Sequence, residues 1–392
     1  MRWARTLPLT FLLPVALGIG PLIGGNSAWV EANYSRGLYP YISSALRIGH
    51  AAVGFSLVEV LLLVLAAAAF VRAFLSLAGI VRGTRSVANV ALHGFSIATA
   101  MLGVAAAAWF VLWGFNYQRQ TFAELAELDV APSGVEELAL LCGDLLGEAG
   151  ALRVDLVEDD GGVFELEGGM RSVLKRASAG YAACAGVYEV LDWNYGRPKP
   201  AWFSPILSRV GISGIYSPFT GEPHVNTGLA DSELPFTVSH ELAHQIGFAR
   251  EDEANFLAIL ACRAHPDTDY RYSGALQGAA YAMGALARVD IARATQLWET
   301  AHPGILRDLA HSEQKWKVSK SPALTKISWE VNHAYLKSQG VAKGTASYGA
   351  VVDLLLAERR KRPEALAVEV PRIEAPESDA PGESGLVPPT AE

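Results

Sequence analysis

The sequence predicts a mainly α membrane protein, in which N-terminal transmembrane helices precede an α+β domain. Hydrophobic residues make up 51% of the 392 residues and charged residues only 18%, and the mean hydropathy is +0.22. The long apolar runs all fall within the first 115 residues, which is where a bilayer-spanning region is expected. From Asn116 onwards, helical patterns and short alternating runs are typical of a globular domain.

Three apolar runs predict three transmembrane helices, at about residues 7–25, 50–71 and 87–113. Each is close to the ~20 residues that a helix needs to cross a bilayer. The first run is interpreted as a retained span and not a cleaved signal peptide, because Pro14 and Pro21 interrupt it and further runs follow. Residues 26–48 are mixed and aromatic, which favours a loop at the membrane interface.

The arginines flanking these runs predict the orientation. They precede the first run or lie between the second and the third: Arg2, Arg5, Arg72, Arg82 and Arg85. Because positive loops stay in the cytoplasm, we expect a multi-pass protein of the cell membrane whose residues 116–362 form an extracytoplasmic catalytic domain. The membrane region then comprises residues 1–115, and the Pro- and Glu-rich tail 363–392 is expected to be disordered.

An H-E-x-x-H motif lies at the centre of the globular part, as His240-Glu241-Leu242-Ala243-His244. Residues four apart share one face of a helix, so the two histidines can bind one metal ion. Pro235 suits the first turn of that helix and Gly247 its end. With Zn²⁺ at the site, Glu241 is placed to act as the general base towards a zinc-bound water. The motif therefore predicts the chemistry of a zinc peptidase.

A third ligand is expected from the helix that follows, where two glutamates compete. Glu251 and Asn255 form an E-x-x-A-N pattern, which resembles the E-x-x-A-D signature of membrane-bound gluzincin peptidases. In those enzymes the glutamate ligates zinc and the acidic residue orients a histidine from the second shell. Asparagine replaces the aspartate here. Glu251 is preferred because it alone has the polar partner four residues on, and Glu253 is the alternative.

The residues before the motif, 192–234, are rich in glycine, proline and aromatic residues. An edge strand is expected here, pairing with an extended peptide substrate by strand addition. This makes Tyr216, Glu222 and Asn226 candidate cleft residues. The donor that stabilises an oxyanion during hydrolysis is left open among three later residues, His333, Tyr335 and Tyr348.

Several blocks of the chain resemble one family: GISGIYSPFTGE, LPFTVSHELAHQIGFAREDEANF and YLKSQGVAKGTASYGAVVDLLLA. Together with the N-terminal spans, they are similar to the bacterial membrane proteins grouped as domain-of-unknown-function family 3810. The resemblance implies a zincin-like, membrane-anchored metallopeptidase. It also implies metal-site roles for His240, Glu241, His244 and a downstream glutamate. It supplies neither a substrate nor a pathway.

Two functions are weighed. The first is a zinc peptidase whose partners are a peptide or protein substrate and membrane lipid; the second is a non-catalytic, metal-binding membrane sensor or scaffold. A structural zinc site is closed by four ligands, often cysteines, but Cys262 lies roughly three helical turns beyond Glu251. The presence of Glu241 also favours catalysis. With a net charge of −8 and no long basic run, nucleic acid is excluded as a partner.

Overall fold

A computed structural model describes residues 26–338 and 350–362. This part of the chain is mostly helical with few strands, which confirms the mainly α class. The predicted first span, at about residues 7–25, and the predicted disordered tail, residues 363–392, lie outside the described residues.

Sixteen α-helices are described. The first eight are α1 (Ser27–Val30), α2 (Tyr39–Ala51), α3 (Leu57–Val81), α4 (Val87–Leu112), α5 (Phe122–Leu125), α6 (Val135–Arg153), α7 (Gly169–Arg176) and α8 (Ala179–Ala185). The others are α9 (Ser204–Val210), α10 (Leu234–Gln245), α11 (Glu251–Ala264), α12 (Thr268–Val289), α13 (Ile291–Glu299), α14 (Pro303–Ser319), α15 (Pro322–Ser338) and α16 (Ala350–Lys361).

The prediction of a loop at residues 26–48 is wrong. Helix α1, a π-helix (Glu31–Leu38) and α2 form one continuous helical stretch there. Its aromatic side chains do not mark an interfacial loop. Tyr34 and Tyr39 are buried in an aromatic cluster with Trp113, Tyr117 and Tyr216. The stretch is stabilised by packing against residues far along the chain, which its mixed local composition does not reveal.

Helices α3 and α4 are long and apolar enough to cross a membrane, and most of their residues are not buried by the rest of the protein. The predicted second span, at 50–71, is displaced: α3 begins at Leu57 and ends at Val81. The displacement has a local cause, since the Ser56 hydroxyl caps the helix by accepting the backbone N–H of Glu59. Helix α4 agrees with the predicted third span to within one residue.

The sheet has three short strands, β1 (Lys199–Pro200), β2 (Gly214–Ser217) and β3 (Glu222–Val225). Their order is β1-β3-β2, with β1 parallel and β2 antiparallel to β3. Strand β2 is therefore at an edge, in the segment where the sequence predicts an edge strand. Its register pairs Ile215 with His224 and Tyr216 with Pro223.

The H-E-x-x-H motif lies on α10, at the centre of the hydrophobic core. Val238 and Leu242 of α10 are fully buried, as are Phe256 and Ile259 of α11. Helix α10 packs against strands β2 and β3 and against helices α11 and α12. A motif helix enclosed in this way is held rigidly, as a precise ligand geometry requires.

Candidate metal centre

Three side chains from α10 and α11 converge as the sequence predicts. The Nε2 atoms of His240 and His244 are 3.1 Å apart. The Glu251 carboxylate lies 3.3 Å from the first of these atoms and 3.8 Å from the second. Their ligand atoms all lie within 4.8 Å of one another. Among the described residues, His240, His244 and Glu251 form the group of ligand-type side chains that is compact enough to hold a metal ion.

The spacing of these atoms fits a zinc ion. Zinc–nitrogen bonds of ~2.0–2.1 Å in a tetrahedral arrangement place neighbouring ligand atoms ~3.3–3.4 Å apart. The three separations bracket that value. Two imidazoles and one carboxylate are also a donor set that zinc accepts, and three protein ligands leave a fourth position open, as in catalytic sites.

The surroundings of His244 favour ligation through Nε2. Its Nδ1 atom lies 2.8 Å from the Phe248 carbonyl oxygen, so the Nδ1 proton is donated to that carbonyl and the Nε2 electron pair points into the cluster. Burial, followed by the neighbouring His240, lowers the pKa of His244 to about 4. A neutral ring is the form that binds a metal.

His240 has a looser partner. The pKa of His240 is raised above its ordinary value. Burial lowers this pKa, but the Glu251 carboxylate raises it by more, and a contact with the Asn255 side chain raises it further. The Asn255 contact is not a well-formed hydrogen bond, since the His240 Nδ1 and Asn255 Nδ2 atoms are both buried without a partner. Asn255 therefore lies where the E-x-x-A-N pattern places it, beside the first histidine.

Glu241 lies next to the cluster without belonging to it. Its carboxyl group is buried and its Oε2 atom has no hydrogen-bond partner. Burial raises the pKa of Glu241 to about 8, with a contribution from the charge of Glu251 that His240 opposes. A divalent cation in the cluster would act against this shift by stabilising the carboxylate.

Gly214 of the edge strand is the neighbour that leaves Glu241 room. A Cβ atom at this position would lie 2.4 Å from Glu241 Oε1 and 2.8 Å from its Cγ, which is closer than real atoms approach. The candidate base therefore lies directly beneath β2, the strand to which an extended peptide would add. The sequence analysis missed this residue, because nothing in its local pattern reveals a contact with a helix 27 positions away.

The alternative ligand Glu253 lies elsewhere. Its Oε1 atom accepts the backbone N–H of Phe122 at 2.7 Å, and burial, opposed by Arg250, raises its pKa to about 7. Glu253 is two residues from Glu251, and such residues are about 200° apart around a helix. The cluster accordingly contains Glu251 and not Glu253.

The end of α10 is shaped by its own backbone and by the N-terminal segment. Gly247 adopts a positive φ of 87°, and the N–H groups of Gly247 and Phe248 return to the carbonyls of His244 and Ala243 at 3.0 and 3.1 Å. This is a Schellman motif, as the glycine predicts.

Three side chains from residues 39–119 donate hydrogen bonds to successive backbone carbonyls at the C-terminal end of α10. Trp113 Nε1 donates to the His244 carbonyl at 3.0 Å, the Tyr39 hydroxyl to that of Gln245 at 2.8 Å, and the Arg119 guanidinium to that of Ile246 at 3.3 Å. We call these three residues the helix clamp. They satisfy carbonyls that a helix end leaves without intrahelical partners, and the sequence analysis did not identify any of them as part of the site.

The three predicted cleft residues are all engaged with protein atoms. The Tyr216 hydroxyl is buried 3.3 Å from that of Tyr39. The Asn226 amide binds Ser208, the Ile212 carbonyl and the Gly228 N–H group. Glu222 accepts the backbone N–H groups of Leu57 and Val58. The Tyr216 ring lies beside the site, 5.7 Å from the Trp113 ring, whereas Asn226 and Glu222 organise the loop and the start of α3.

Of the candidate oxyanion donors that the structure describes, Tyr335 is close enough to the cluster for the Glu251 charge to act on it. Burial raises the pKa of Tyr335, and the Glu251 charge adds to the shift; the same two causes act on Tyr281, which the sequence analysis did not single out. The His333 ring stacks on Trp329 with centroids 5.1 Å apart. Tyr348 lies outside the described residues.

Comparison with known protein families gives a match. A family model described as protein of unknown function (DUF3810) matches residues 34–356, which includes α3, α4, the sheet and all three candidate metal ligands. No curated protein and no solved structure matches the chain.

Proposed function

The chain belongs to the DUF3810 family of unknown function, and from the geometry of its metal cluster we propose that it is a membrane-anchored zinc peptidase of zincin-like architecture. The observation that carries the proposal is the placement of Glu241. Its buried, unpartnered carboxyl oxygen lies beside the three convergent ligands and beneath an edge strand. A purely structural metal site has no use for such a group.

In this proposal His240, His244 and Glu251 hold the ion. When bound, zinc supplies Lewis-acid chemistry, polarising the scissile carbonyl and lowering the pKa of a water molecule. Glu241 takes the proton from the attacking water and passes it to the leaving amine, as the new C–O bond forms and the C–N bond breaks. Strand β2 binds the substrate backbone as an added strand above Glu241.

The membrane placement is part of the proposal. Helices α3 and α4 cross the bilayer, and the connection between them carries Arg82 and Arg85, which assigns that connection to the cytoplasm. The globular domain then faces the outside of the cell membrane. Its substrates are peptides or proteins that are present there.

Metal content and hydrolysis test this function together. We expect the purified full-length protein to contain one zinc per chain, His240→Ala to lose it, and Glu241→Gln to keep it while losing hydrolysis of a mixed peptide pool. Hydrolysis by Glu241→Gln at the wild-type rate would contradict the mechanism. Zinc binding by a wild-type protein that hydrolyses no peptide would instead favour a metal-binding sensor or scaffold.

A further inference from the structure

We propose that the substrates are polypeptide segments lying at the membrane surface, next to a membrane anchor. The inference rests on the proposed peptidase function and on the membrane placement of α3 and α4. It adds the substrate class, which is argued from how the ends of both helices contact the candidate cleft.

The start of α3 is fixed to the sheet. The N–H groups of Leu57 and Val58 each donate to the Glu222 carboxylate at 2.9 Å, and Glu222 is the first residue of β3. The Ser56 hydroxyl, which caps α3, lies 2.8 Å from His224 Nε2 on the same strand. Because β3 pairs with β2, the first turn of α3 lies one strand away from the proposed substrate-binding edge.

The end of α4 is fixed to the metal cluster. Trp113 follows the last residue of α4 directly, and its indole ring lies 6.0 Å from the His244 ring and 5.7 Å from the Tyr216 ring of β2. One aromatic side chain therefore contacts both a candidate metal ligand and the edge strand. Two independent contacts thus place the cleft at the level where the two helices leave the bilayer.

Exposed apolar side chains lie both on the edge strand and beside the start of α3. Ile215 of β2 is 48% exposed and lies opposite His224. Phe55 and Trp202 are 43% and 50% exposed, with ring centroids 6.3 Å apart, and Phe55 precedes α3 by two residues. Aromatic residues at the end of a span typically lie in the headgroup layer. An edge strand in this layer is positioned for a polypeptide that is itself held there.

The position of the edge strand can be measured without any activity. The three cysteines of the chain are buried, so a spin label can be attached to Ile215→Cys in the full-length protein, reconstituted into phosphatidylcholine vesicles. The matched control is Leu306→Cys on α14, where the native side chain is 44% exposed. We expect the label at 215 to collide more with oxygen, which partitions into lipid, and less with a water-soluble nickel chelate. Equal collision rates at both positions would overturn the inference.

Peptide presentation then tests the substrate class. One mixed-sequence peptide pool is offered to the reconstituted protein in three forms: anchored to lipid by a short linker, anchored by a long flexible linker, and free. Both anchored pools gain effective concentration, but only the short linker confines the peptide to the surface. We expect the short-linker pool to be cleaved at least as fast as the long-linker pool, and about tenfold or more faster than the free pool.

The outcomes separate the two proposals. Glu241→Gln in the same vesicles gives the background from contaminating peptidases. Cleavage restricted to the long-linker or free pool would overturn the membrane-surface substrate and leave the peptidase function standing. No cleavage of any pool by the zinc-loaded wild type would remove the peptidase function and the substrate class with it, whatever depth the label reports.

Discussion

The indole Nε1 of Trp113 donates a 3.0 Å hydrogen bond to the backbone carbonyl of His244, so the residue that follows α4 binds a candidate metal ligand directly. Tyr39 and Arg119 bind the next two carbonyls, and Arg119 is itself fixed by a buried bidentate pair with Glu31 at 2.7 and 2.9 Å. The helix clamp therefore connects the chain on either side of α3 and α4 to the candidate metal site through hydrogen bonds to the protein backbone.

Removing the indole N–H should loosen this connection. We expect Trp113→Phe to lower the free energy of unfolding by at least about 1 kcal/mol, the typical worth of one intramolecular hydrogen bond, because the smaller ring also leaves a cavity in the buried aromatic cluster. The His244 carbonyl keeps one partner, since it also accepts the Gly247 N–H. Thermal denaturation in detergent, monitored by circular dichroism, measures the loss of stability. Trp202→Phe, at a half-exposed indole, is the control, and an equal loss there would show that the clamp contributes nothing specific.

The sequence predicts the convergence of the three candidate ligands because they are local to two adjacent helices. His240 and His244 are one turn apart, and Glu251 begins the helix that follows the glycine turn. The other residues of the site make contacts with residues far away in sequence, so no pattern of local spacing predicts them: Gly214, Trp113 and Tyr39. The loop wrongly expected at residues 26–48 fails for the same reason: its helix is stabilised by an aromatic cluster assembled from α4, β2 and α15.

The proposed membrane orientation of α3 and α4 has a direct test. A reporter that is active only outside the cytoplasm should be active when fused after Asn116 and silent when fused near Arg82, because the basic connection stays inside. Reporter activity in intact cells, normalised to the amount of each fusion protein, is the measurement. The reverse pattern would place the metal cluster in the cytoplasm and change the class of substrate.

Acid should weaken the attachment of α3 to the sheet. Burial alone would raise the pKa of Glu222, but the Lys199 ammonium, 2.8 Å away, and the N–H groups of Leu57 and Val58 lower it below its ordinary value of 4.5. The pKa of Glu222 is lower in the folded protein than in the unfolded chain. The ionised Glu222 therefore stabilises the fold at pH values above its unfolded pKa, and this stabilisation is lost as the pH falls through its folded pKa.

We therefore expect thermal stability to fall as the pH drops below about 4.5, and to fall less in Glu222→Gln. That variant starts from lower stability because the buried Lys199 ammonium loses its charged partner and keeps only the His50 and Phe55 carbonyls; removing one partner of a buried pair costs about 3–5 kcal/mol. Denaturation midpoints across this pH range are the measurement. Wild type and variant losing stability in parallel would show that Glu222 does not carry the pH dependence.

The third ligand can be identified by zinc titration of three variants. Glu251→Gln should cost roughly tenfold or more in affinity, since even residues that only orient ligands act on this scale. Asn255→Ala should cost less, because Asn255 contacts His240 without a well-formed hydrogen bond. Glu253→Gln should change zinc affinity little, because its carboxyl oxygen is bound to the Phe122 N–H. Greater damage from Glu253→Gln than from Glu251→Gln would overturn the assignment.

Gly214 should separate metal binding from catalysis. An added Cβ would lie 2.4 Å from Glu241 Oε1, so Gly214→Ala must displace the carboxylate, the strand, or both. Its φ angle is not positive, so alanine brings no backbone strain of its own. The three ligands lie on α10 and α11 and keep their positions.

We expect the Gly214→Ala protein to bind zinc as tightly as wild type while its hydrolysis of peptides falls about 100-fold, since a displacement of about 1 Å is enough for such a loss. Gly143→Ala is the matched control, because a Cβ there meets no atom within 4 Å. Full activity in Gly214→Ala, with the carboxylate shifted, would mean that Glu241 is not the base. Loss of zinc binding together with activity would mean that strand β2 is needed to hold the three ligands in place, and that its role is not only to leave space for the Glu241 carboxylate.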